Sequence, residues 1–129
     1  MEKIRKNYGK IMVIAYSVII RRQEKTMTFS IIYPKDIERF RIEKRAILID
    51  VRSREEYKRS HWSGAINYPE EEIVDYTKVL GKKRPIIIYC QHGGSSMQIA
   101  RMLGKNGYET GSVVGGYEAM KKIKDGIDK

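Results

Sequence analysis

The chain has 129 residues, the length of one domain, which is enough to bury a hydrophobic core without disulfide bonds or structural metal ions. Its single cysteine, Cys90, excludes an internal disulfide framework or a multi-cysteine zinc site, and its two histidines lack metal-motif spacing, so we expect no metal and no cofactor. The formal net charge of +10 favours anionic partners, but charges alternate in sign along most of the chain, which is typical of a solvated surface and predicts no nucleic-acid binding.

The first 28 residues form a basic segment that carries +5 of the formal charge. Within it, residues 11–20 are mostly apolar and lie between basic flanks. Ten residues are too few to span a bilayer as a helix, and the mostly charged residues 21–24 replace the small residues of a signal-peptide cleavage site. We therefore expect residues 1–28 to be an N-terminal extension, either an added strand or helix or a loosely attached segment. The protein is expected to be cytoplasmic and to contact no membrane.

After this extension, short apolar strands alternate with helices, so we place the main domain at residues 29–129. Residues 29–33 are rich in β-branched and aromatic side chains, which favours a strand. Pro34 is expected to open a helix that reaches about Phe40, because a proline loses nothing at a first helical position. A continuous apolar run at residues 46–51 then predicts a strand that is buried on both faces.

Two helices and a short strand are predicted in the middle of the chain. Ser53, with Glu56 three residues later, forms the pattern of a capping box and begins a short helix. Residues 64–67 predict a short strand. Pro69 and the three glutamates after it open the next helix, since acidic side chains stabilise a first helical turn, and Gly81 ends it. The apolar side chains on one face of this helix are Ile73, Tyr76 and Leu80.

Cys90 follows a third apolar run, residues 86–89, and precedes a loop that contains two glycines. A helix is predicted over residues 95–105. The side chains expected to face the core from this helix are Met97, Ala100 and Leu103. A last strand over residues 112–114 leads through two further glycines into a final helix.

Strands that alternate with helices of this length predict an α/β fold, with a mostly parallel sheet of about five strands and helices on both faces. In such folds, ligands bind beyond the carboxyl ends of the strands. Asp50 and Arg52 follow one such end and Cys90 follows another. We therefore expect these residues to lie at the same edge of the sheet.

At that edge, the thiol of Cys90 is expected to face the free amides of the loop and the N-terminus of the following helix. Such groups bind anions and stabilise a thiolate, which is the nucleophilic form of cysteine. The alternative is a buried cysteine that only packs, because free cysteine is among the most often buried residue types. The position of Cys90 at the ligand-binding edge favours a reactive thiol.

Several segments, in the order in which they occur, resemble the motifs of the rhodanese-like domain family over roughly residues 30–125. They are Leu48–Arg52 with Glu55–Tyr57, His61–Pro69, Ile86–Ser96, Gly107–Tyr108 and Gly115–Met120. The resemblance implies a sulfurtransferase or sulfur carrier. Such a protein passes sulfane sulfur from a donor such as thiosulfate to a thiol acceptor, here through a persulfide on Cys90.

The resemblance also implies the residues of the site. Cys90 is the nucleophile, and the loop after it surrounds the transferred sulfur with amides, as an oxyanion hole surrounds oxygen. Both glycines of the loop are expected to adopt backbone angles that other residues avoid. The residues expected to bind substrate are Gln91, His92, Gly93, Gly94, Ser95, Ser96 and Arg52. The expected partners are a small sulfur-donor anion and a thiol acceptor, and the expected assembly is a monomer or a weak dimer.

Two positions depart from the family pattern. Ser95 stands where many active members have an arginine, and Met120 stands where a tryptophan is common. The missing guanidinium weakens the case for thiosulfate, which is a doubly charged donor. His92 either donates a hydrogen bond into the loop or faces solvent, and Arg52 either contacts substrate or forms a salt bridge at the base of the loop.

Two alternative functions remain open. The first is a non-catalytic rhodanese-like binding or regulatory module, which the missing arginine favours and the retained Cys90 disfavours. The second is a cysteine phosphatase or arsenate reductase. Those enzymes need an arginine six residues after the cysteine, where this chain has Ser96.

The other polar and aromatic residues of the motifs are interpreted as structural. His61 is expected to make a hydrogen bond in a packing turn, and Asp50 is expected to anchor neighbouring backbone. The aromatic side chains expected to pack are Tyr57, Trp62 and Tyr108.

Overall fold

The computed structural model describes residues 29–123 and the backbone of residues 127 and 128. The predicted extension, residues 1–28, lies outside the described residues. The strands are β1 (Phe29–Ile32), β2 (Ile47–Asp50), β3 (His61–Trp62), β4 (Ile66–Asn67), β5 (Ile86–Tyr89), β6 (Thr110–Val113) and β7 (Ile127–Asp128). The helices are α1 (Ile37–Lys44), α2 (Arg54–Arg59), α3 (Ile73–Leu80), α4 (Gly94–Lys105) and α5 (Gly116–Met120), with short 3-10 turns at Pro34–Asp36 and Glu70–Glu72.

Five strands form one sheet in the order β1-β6-β5-β2-β4, and every neighbouring pair is parallel. Strands β3 and β7 form a separate antiparallel pair. The parallel sheet with covering helices confirms the α/β class predicted from the alternation of strands and helices.

The core lies on both faces of this sheet, because the central strands β2 and β5 alternate their side chains between the two faces. Leu48 and Ile87 point to one face, where they pack with residues of α1 and α5. Ile49 and Ile88 point to the other face, where they pack with residues of α3 and α4. Both isoleucines are fully buried, and burial of such a side chain stabilises the fold by about 1.5–3 kcal/mol. This packing fixes the two strand ends that carry the site.

The start of α2 and the end of α3 agree with the sequence. Ser53 Oγ accepts from the amide of Glu56, and the Glu56 carboxylate accepts from the amide of Ser53, which confirms the capping box. Gly81 follows the last residue of α3 with a φ of +77°, a conformation that favours glycine.

Several element boundaries differ from the prediction, and the clearest cases are α1, β2 and β6. Helix α1 continues past Phe40 to Lys44, where Arg45 ends it with a φ of +57°. Because glycine or asparagine usually takes this position, an arginine there gives no signal in the sequence. Strand β2 is shorter than the apolar run that predicts it, and β6 begins at Thr110.

The buried face of α4 also differs from the prediction. Met97 is partly exposed and is not part of the core. The buried residues of this helix are Ser96, Ala100, Leu103 and Gly104. The helix is rotated in this way because the Ser96 side chain forms hydrogen bonds beneath its first turn, as described below.

Candidate active site

Cys90 directly follows β5, and its side chain shares a pocket with Val51 and Arg52, which follow β2. The two strands are parallel neighbours, and Asp50 and Tyr89 are paired in register at their ends. The structure therefore confirms that the two strand ends meet at one edge of the sheet.

Two backbone amides point at the sulfur of Cys90. The Gly93 amide nitrogen lies 3.0 Å from Sγ, and the Ser96 amide nitrogen, in the first turn of α4, lies 3.3 Å from it. These donors reach the sulfur because the chain reverses at Gly93, which has a φ of +105°. A Cβ on Gly93 would also lie 3.2 Å from the amide nitrogen of Gly115, so both the turn and the packing favour glycine.

The expectation that Gly94 needs an unusual backbone is wrong. Gly94 is the first residue of α4, it is not among the glycines with positive φ, and a Cβ built there meets nothing within 4 Å. Helical geometry alone brings the amide of Ser96 toward the sulfur, so the loop needs only one left-handed residue between Cys90 and α4.

The Ser96 hydroxyl is a third polar group at the sulfur. Its Oγ lies 3.4 Å from Cys90 Sγ, 2.8 Å from Ser112 Oγ and 3.3 Å from the Gly93 carbonyl oxygen. Both serine residues are buried. A chain of two hydroxyl groups therefore runs from β6 to the sulfur, beneath the loop.

Helix α5 holds the same loop from the opposite side. The Tyr117 amide donates to the Cys90 carbonyl at 2.8 Å, and the Glu118 amide donates to the Gln91 carbonyl at 3.1 Å. These two hydrogen bonds fix the backbone of Cys90 and Gln91, directly before the loop amides that face the sulfur. A Cβ on Gly116 would lie 2.5 Å from the Cys90 carbonyl oxygen, so this close approach requires glycine. The sequence did not indicate this role for α5.

Arg52 lies buried at the base of the loop. Its Nε and Nη2 atoms donate to the Asp50 carboxylate, with distances from 2.8 to 3.1 Å, and Nη2 also donates to the Ser60 carbonyl at 2.7 Å. The guanidinium carbon lies 3.9 Å from the ring centre of Tyr117. Burial opposes the charge of Arg52, but the hydrogen bond and charge of Asp50 outweigh it and raise the pKa of the guanidinium. The salt bridge expected at the base of the loop is therefore present.

Gln91 is held between two charged residues. Its amide oxygen accepts from Arg52 Nη1 at 3.4 Å, and its amide nitrogen donates to the carboxylate of Glu118. A hydrogen bond from Lys121 lowers the pKa of Glu118, so this carboxylate is charged. The side chain of Gln91 is thus fixed by the protein itself.

A pocket of about 810 Å³ opens over Cys90. Cys90 is only 7% exposed, yet it contributes to the wall of this pocket. The predicted substrate-binding residues that line the pocket are Arg52, Gln91, His92, Gly94 and Ser95. Gly93 and Ser96 lie behind them and contact the sulfur instead. The His92 side chain is exposed at the pocket, which agrees with the solvent-facing alternative.

Three carboxylates line the pocket as well, and sequence reasoning missed them as site residues. They are Glu56, Glu70 and Glu71. In the sequence, Glu56 is explained by the capping box, and the other two by the first turn of a helix. Each has a local structural reason, and only the tertiary fold brings all three to the same pocket.

The residues interpreted as structural have that role. His61 Nδ1 donates to the Tyr57 carbonyl at 2.7 Å, and Asp50 Oδ1 accepts from the Arg52 amide at 2.8 Å. Trp62 is buried and Tyr108 nearly so. Among the described residues, no group of three or more histidine, cysteine or acidic side chains is arranged to hold a metal ion. In the same part of the chain, no helix is long and apolar enough to cross a membrane.

Known proteins resemble this chain in sequence. A family model described as "Rhodanese-like domain" matches residues 34–123. The thiosulfate sulfurtransferase GlpE of Coxiella burnetii is 34% identical over 82 residues, which cover 62% of this chain and 77% of that protein. A tRNA sulfurtransferase of Desulfurococcus amylolyticus is 38% identical over 84 residues, which cover 65% of this chain and 16% of that protein.

Solved structures resemble this chain in fold. The crystal structure of reduced Bacillus anthracis CoADR-RHD matches with a TM-score of 0.70 and 28% identity, over 93% of this chain and 21% of that one. A rhodanese-like domain protein from Staphylococcus aureus matches with a TM-score of 0.64 and 26% identity, over 70% of this chain and 90% of that one.

Proposed function

Since this chain belongs to the rhodanese-like domain family, we propose that it is a sulfurtransferase in which Cys90 carries the transferred sulfur as a persulfide. The observation that carries the proposal is the pair of amide nitrogens, from Gly93 and Ser96, that point at Sγ from 3.0 and 3.3 Å at the wall of an open pocket. Hydrogen bonds to a charged acceptor are stronger than those to a neutral one, so this arrangement favours the thiolate and the persulfide anion.

The reaction has two steps. In the first, the Cys90 thiolate attacks the outer sulfur of a sulfane donor, the bond between that sulfur and the rest of the donor breaks, and the leaving group takes the bonding electron pair. With thiosulfate the leaving group is sulfite. In the second, an acceptor thiolate attacks the outer sulfur of the persulfide, a new acceptor persulfide forms, and Cys90 leaves as the thiolate.

Within these 129 residues Cys90 is the single cysteine. None of these residues therefore supplies a second thiol that could attack a Cys90 persulfide and form a disulfide with Cys90. The acceptor thiol comes from another molecule, which agrees with a site that opens into a pocket of about 810 Å³, within the usual range for small-molecule sites.

Intact-mass spectrometry tests the proposal directly. The protein is incubated with a panel of donors, thiosulfate, a thiosulfonate and inorganic polysulfide, and then desalted. We expect a gain of one sulfur atom that disappears on addition of a thiol acceptor. Cys90→Ser, which keeps the size of the side chain, is expected to gain none. Since there is one cysteine, the added mass has one site to occupy.

The alternative, a non-catalytic module, predicts the opposite results. No donor of the panel would add sulfur to Cys90, and iodoacetamide would alkylate the thiol at neutral pH no faster than a cysteine in an unfolded peptide. Either sulfur transfer or fast alkylation contradicts that alternative. If no donor of the panel adds sulfur to Cys90, the sulfurtransferase is overturned.

A further inference from the structure

The charge of the pocket wall is unexpectedly negative for a site proposed to bind a donor anion. Glu70 and Glu71 line the pocket and are exposed, and no described residue forms an ion pair with either carboxylate. Glu56 accepts hydrogen bonds from the amide and hydroxyl groups of Ser53. These donors are neutral, so they do not compensate the negative charge of the carboxylate.

The positive charge in the pocket lining is already neutralised by a neighbouring carboxylate. Among the described residues that line it, Arg52 supplies the one permanent positive charge, and Asp50 neutralises that charge at 2.8 Å, with side-chain exposures of 4% and 0% for the two residues. The amides of the loop are directed at Sγ itself. Ser95 adds a hydroxyl group to the wall, without charge.

The loop amides and the pocket carboxylates act on different groups. The sulfur of Cys90 is stabilised by short-range amide donors, whereas a substrate group that enters the pocket meets the field of the carboxylates. A second negative charge on the substrate is repelled, and a positive charge near its thiol is attracted. The amide donors make Cys90 reactive, and the carboxylates select what reaches it.

We propose that Glu70 and Glu71 make this pocket selective for an acceptor that carries a positive charge beside its thiol, an aminothiol, over acceptors with a neutral or anionic group at that position. The inference rests on the proposed persulfide on Cys90. In the step concerned, the thiolate of the aminothiol attacks the outer sulfur, the sulfur–sulfur bond of the persulfide breaks, and Cys90 leaves with the electron pair. The ammonium group stays intact and lies near the two carboxylates.

Three acceptors with the same two-carbon spacing test the charge alone: cysteamine, mercaptoethanol and mercaptopropionate. The protein is loaded with sulfur from polysulfide, desalted and mixed with each acceptor, and loss of the added sulfur is followed by rapid quenching and mass spectrometry. Rates are measured for the wild type and for the double variant Glu70→Gln with Glu71→Gln. Division of the wild-type rate by the variant rate cancels the intrinsic reactivity of each thiol.

We expect the ratio of the cysteamine rate to the mercaptopropionate rate to fall by about fivefold in the double variant at low ionic strength, because the variant removes two negative charges from the pocket lining and these charges are only partly screened. Mercaptoethanol is expected to lie between the two. In the wild type, added salt is expected to lower the same ratio, and this measurement needs no variant. Glu43→Gln with Glu55→Gln is the matched control, since both residues are exposed and neither lines the pocket.

An unchanged acceptor ratio in the pocket variant, or an equal change in the control variant, overturns the selectivity and leaves the sulfurtransferase intact. A wild-type ratio that is insensitive to salt also counts against it. If Cys90 takes up no sulfur from any donor, or if no acceptor removes it, the proposed function fails and the selectivity fails with it. The two failures are thus distinct in the same experiment.

Discussion

The Ser96 hydroxyl offers the sharpest test of how the loop stabilises the sulfur. Ser96→Ala removes Oγ from its positions 3.4 Å from Cys90 Sγ and 2.8 Å from Ser112 Oγ, but it leaves the Ser96 amide in place. In the structure Cys90 Sγ donates to Ser96 Oγ, and once the thiolate forms the Ser96 hydroxyl is the donor. A hydrogen bond to a charged group contributes about 1.5–3 kcal/mol. Because the distance from Ser96 Oγ to Cys90 Sγ is long, we take the lower end of that range. It corresponds to roughly a tenfold decrease in the rate at which Cys90 is alkylated.

The assay is the rate of Cys90 alkylation by iodoacetamide at neutral pH, followed by mass spectrometry. The single variant is also expected to lose stability by about 1–3 kcal/mol, since the buried hydroxyl of Ser112 loses a partner. Ser96→Ala with Ser112→Ala removes both hydroxyl groups. This double variant is expected to regain most of the stability, measured by urea unfolding, while alkylation stays slow.

The two readouts separate a direct effect on the sulfur from a structural one. If alkylation of Ser96→Ala matches the wild type while stability falls, the hydroxyl serves packing alone and the amides hold the thiolate without it. If reactivity returns together with stability in the double variant, the loss in the single variant came from distortion of the loop.

Two further predictions concern the elements around the loop. Gly116→Ala places a Cβ 2.5 Å from the Cys90 carbonyl oxygen at a φ of +60°, so α5 must move. We expect the free energy of unfolding, measured in urea, to fall by about 3 kcal/mol and sulfur uptake to be lost. Wild-type sulfur uptake by the folded variant would show that α5 does not support the loop. Burial raises the pKa of Tyr89 well above its ordinary value, so the stability it contributes is complete below about pH 10 and is lost as the pH rises beyond that value, where the unfolded phenol ionises. Tyr89→Phe is therefore expected to lose stability less steeply with pH in that alkaline range, while at neutral pH it costs about 1 kcal/mol because the Trp62 amide loses its acceptor. Identical alkaline slopes for Tyr89→Phe and the wild type would contradict this assignment.

The fold could be predicted because its main signals are local. Residues 47–49 and 86–89 are continuous apolar segments, which is the pattern of strands buried on both faces, and Cys90 directly follows the second. Parallel strands end at the same edge, so the position of the thiol beside Arg52 also followed from the sequence.

The rest of the site depends on contacts between distant segments, which leave no periodic signal. Ser96 replaces Met97 on the buried face of α4 because Ser112, on another strand, binds its hydroxyl group. Glu70 and Glu71 have the composition of a helix start, and only the fold brings them to the pocket that Cys90 also lines. The same is true of the α5 amides that bind the loop carbonyls.

Tyr117 connects the reactive loop to the body of the domain. Its amide holds the Cys90 carbonyl, its ring lies against the guanidinium of Arg52, and its hydroxyl group pairs with Ser60. Because one residue joins these segments, separation of α5 from the sheet is expected to disturb the loop around Cys90 at the same time. The rate at which an added reagent labels Cys90, the one cysteine of these 129 residues, is therefore expected to report on the integrity of the domain.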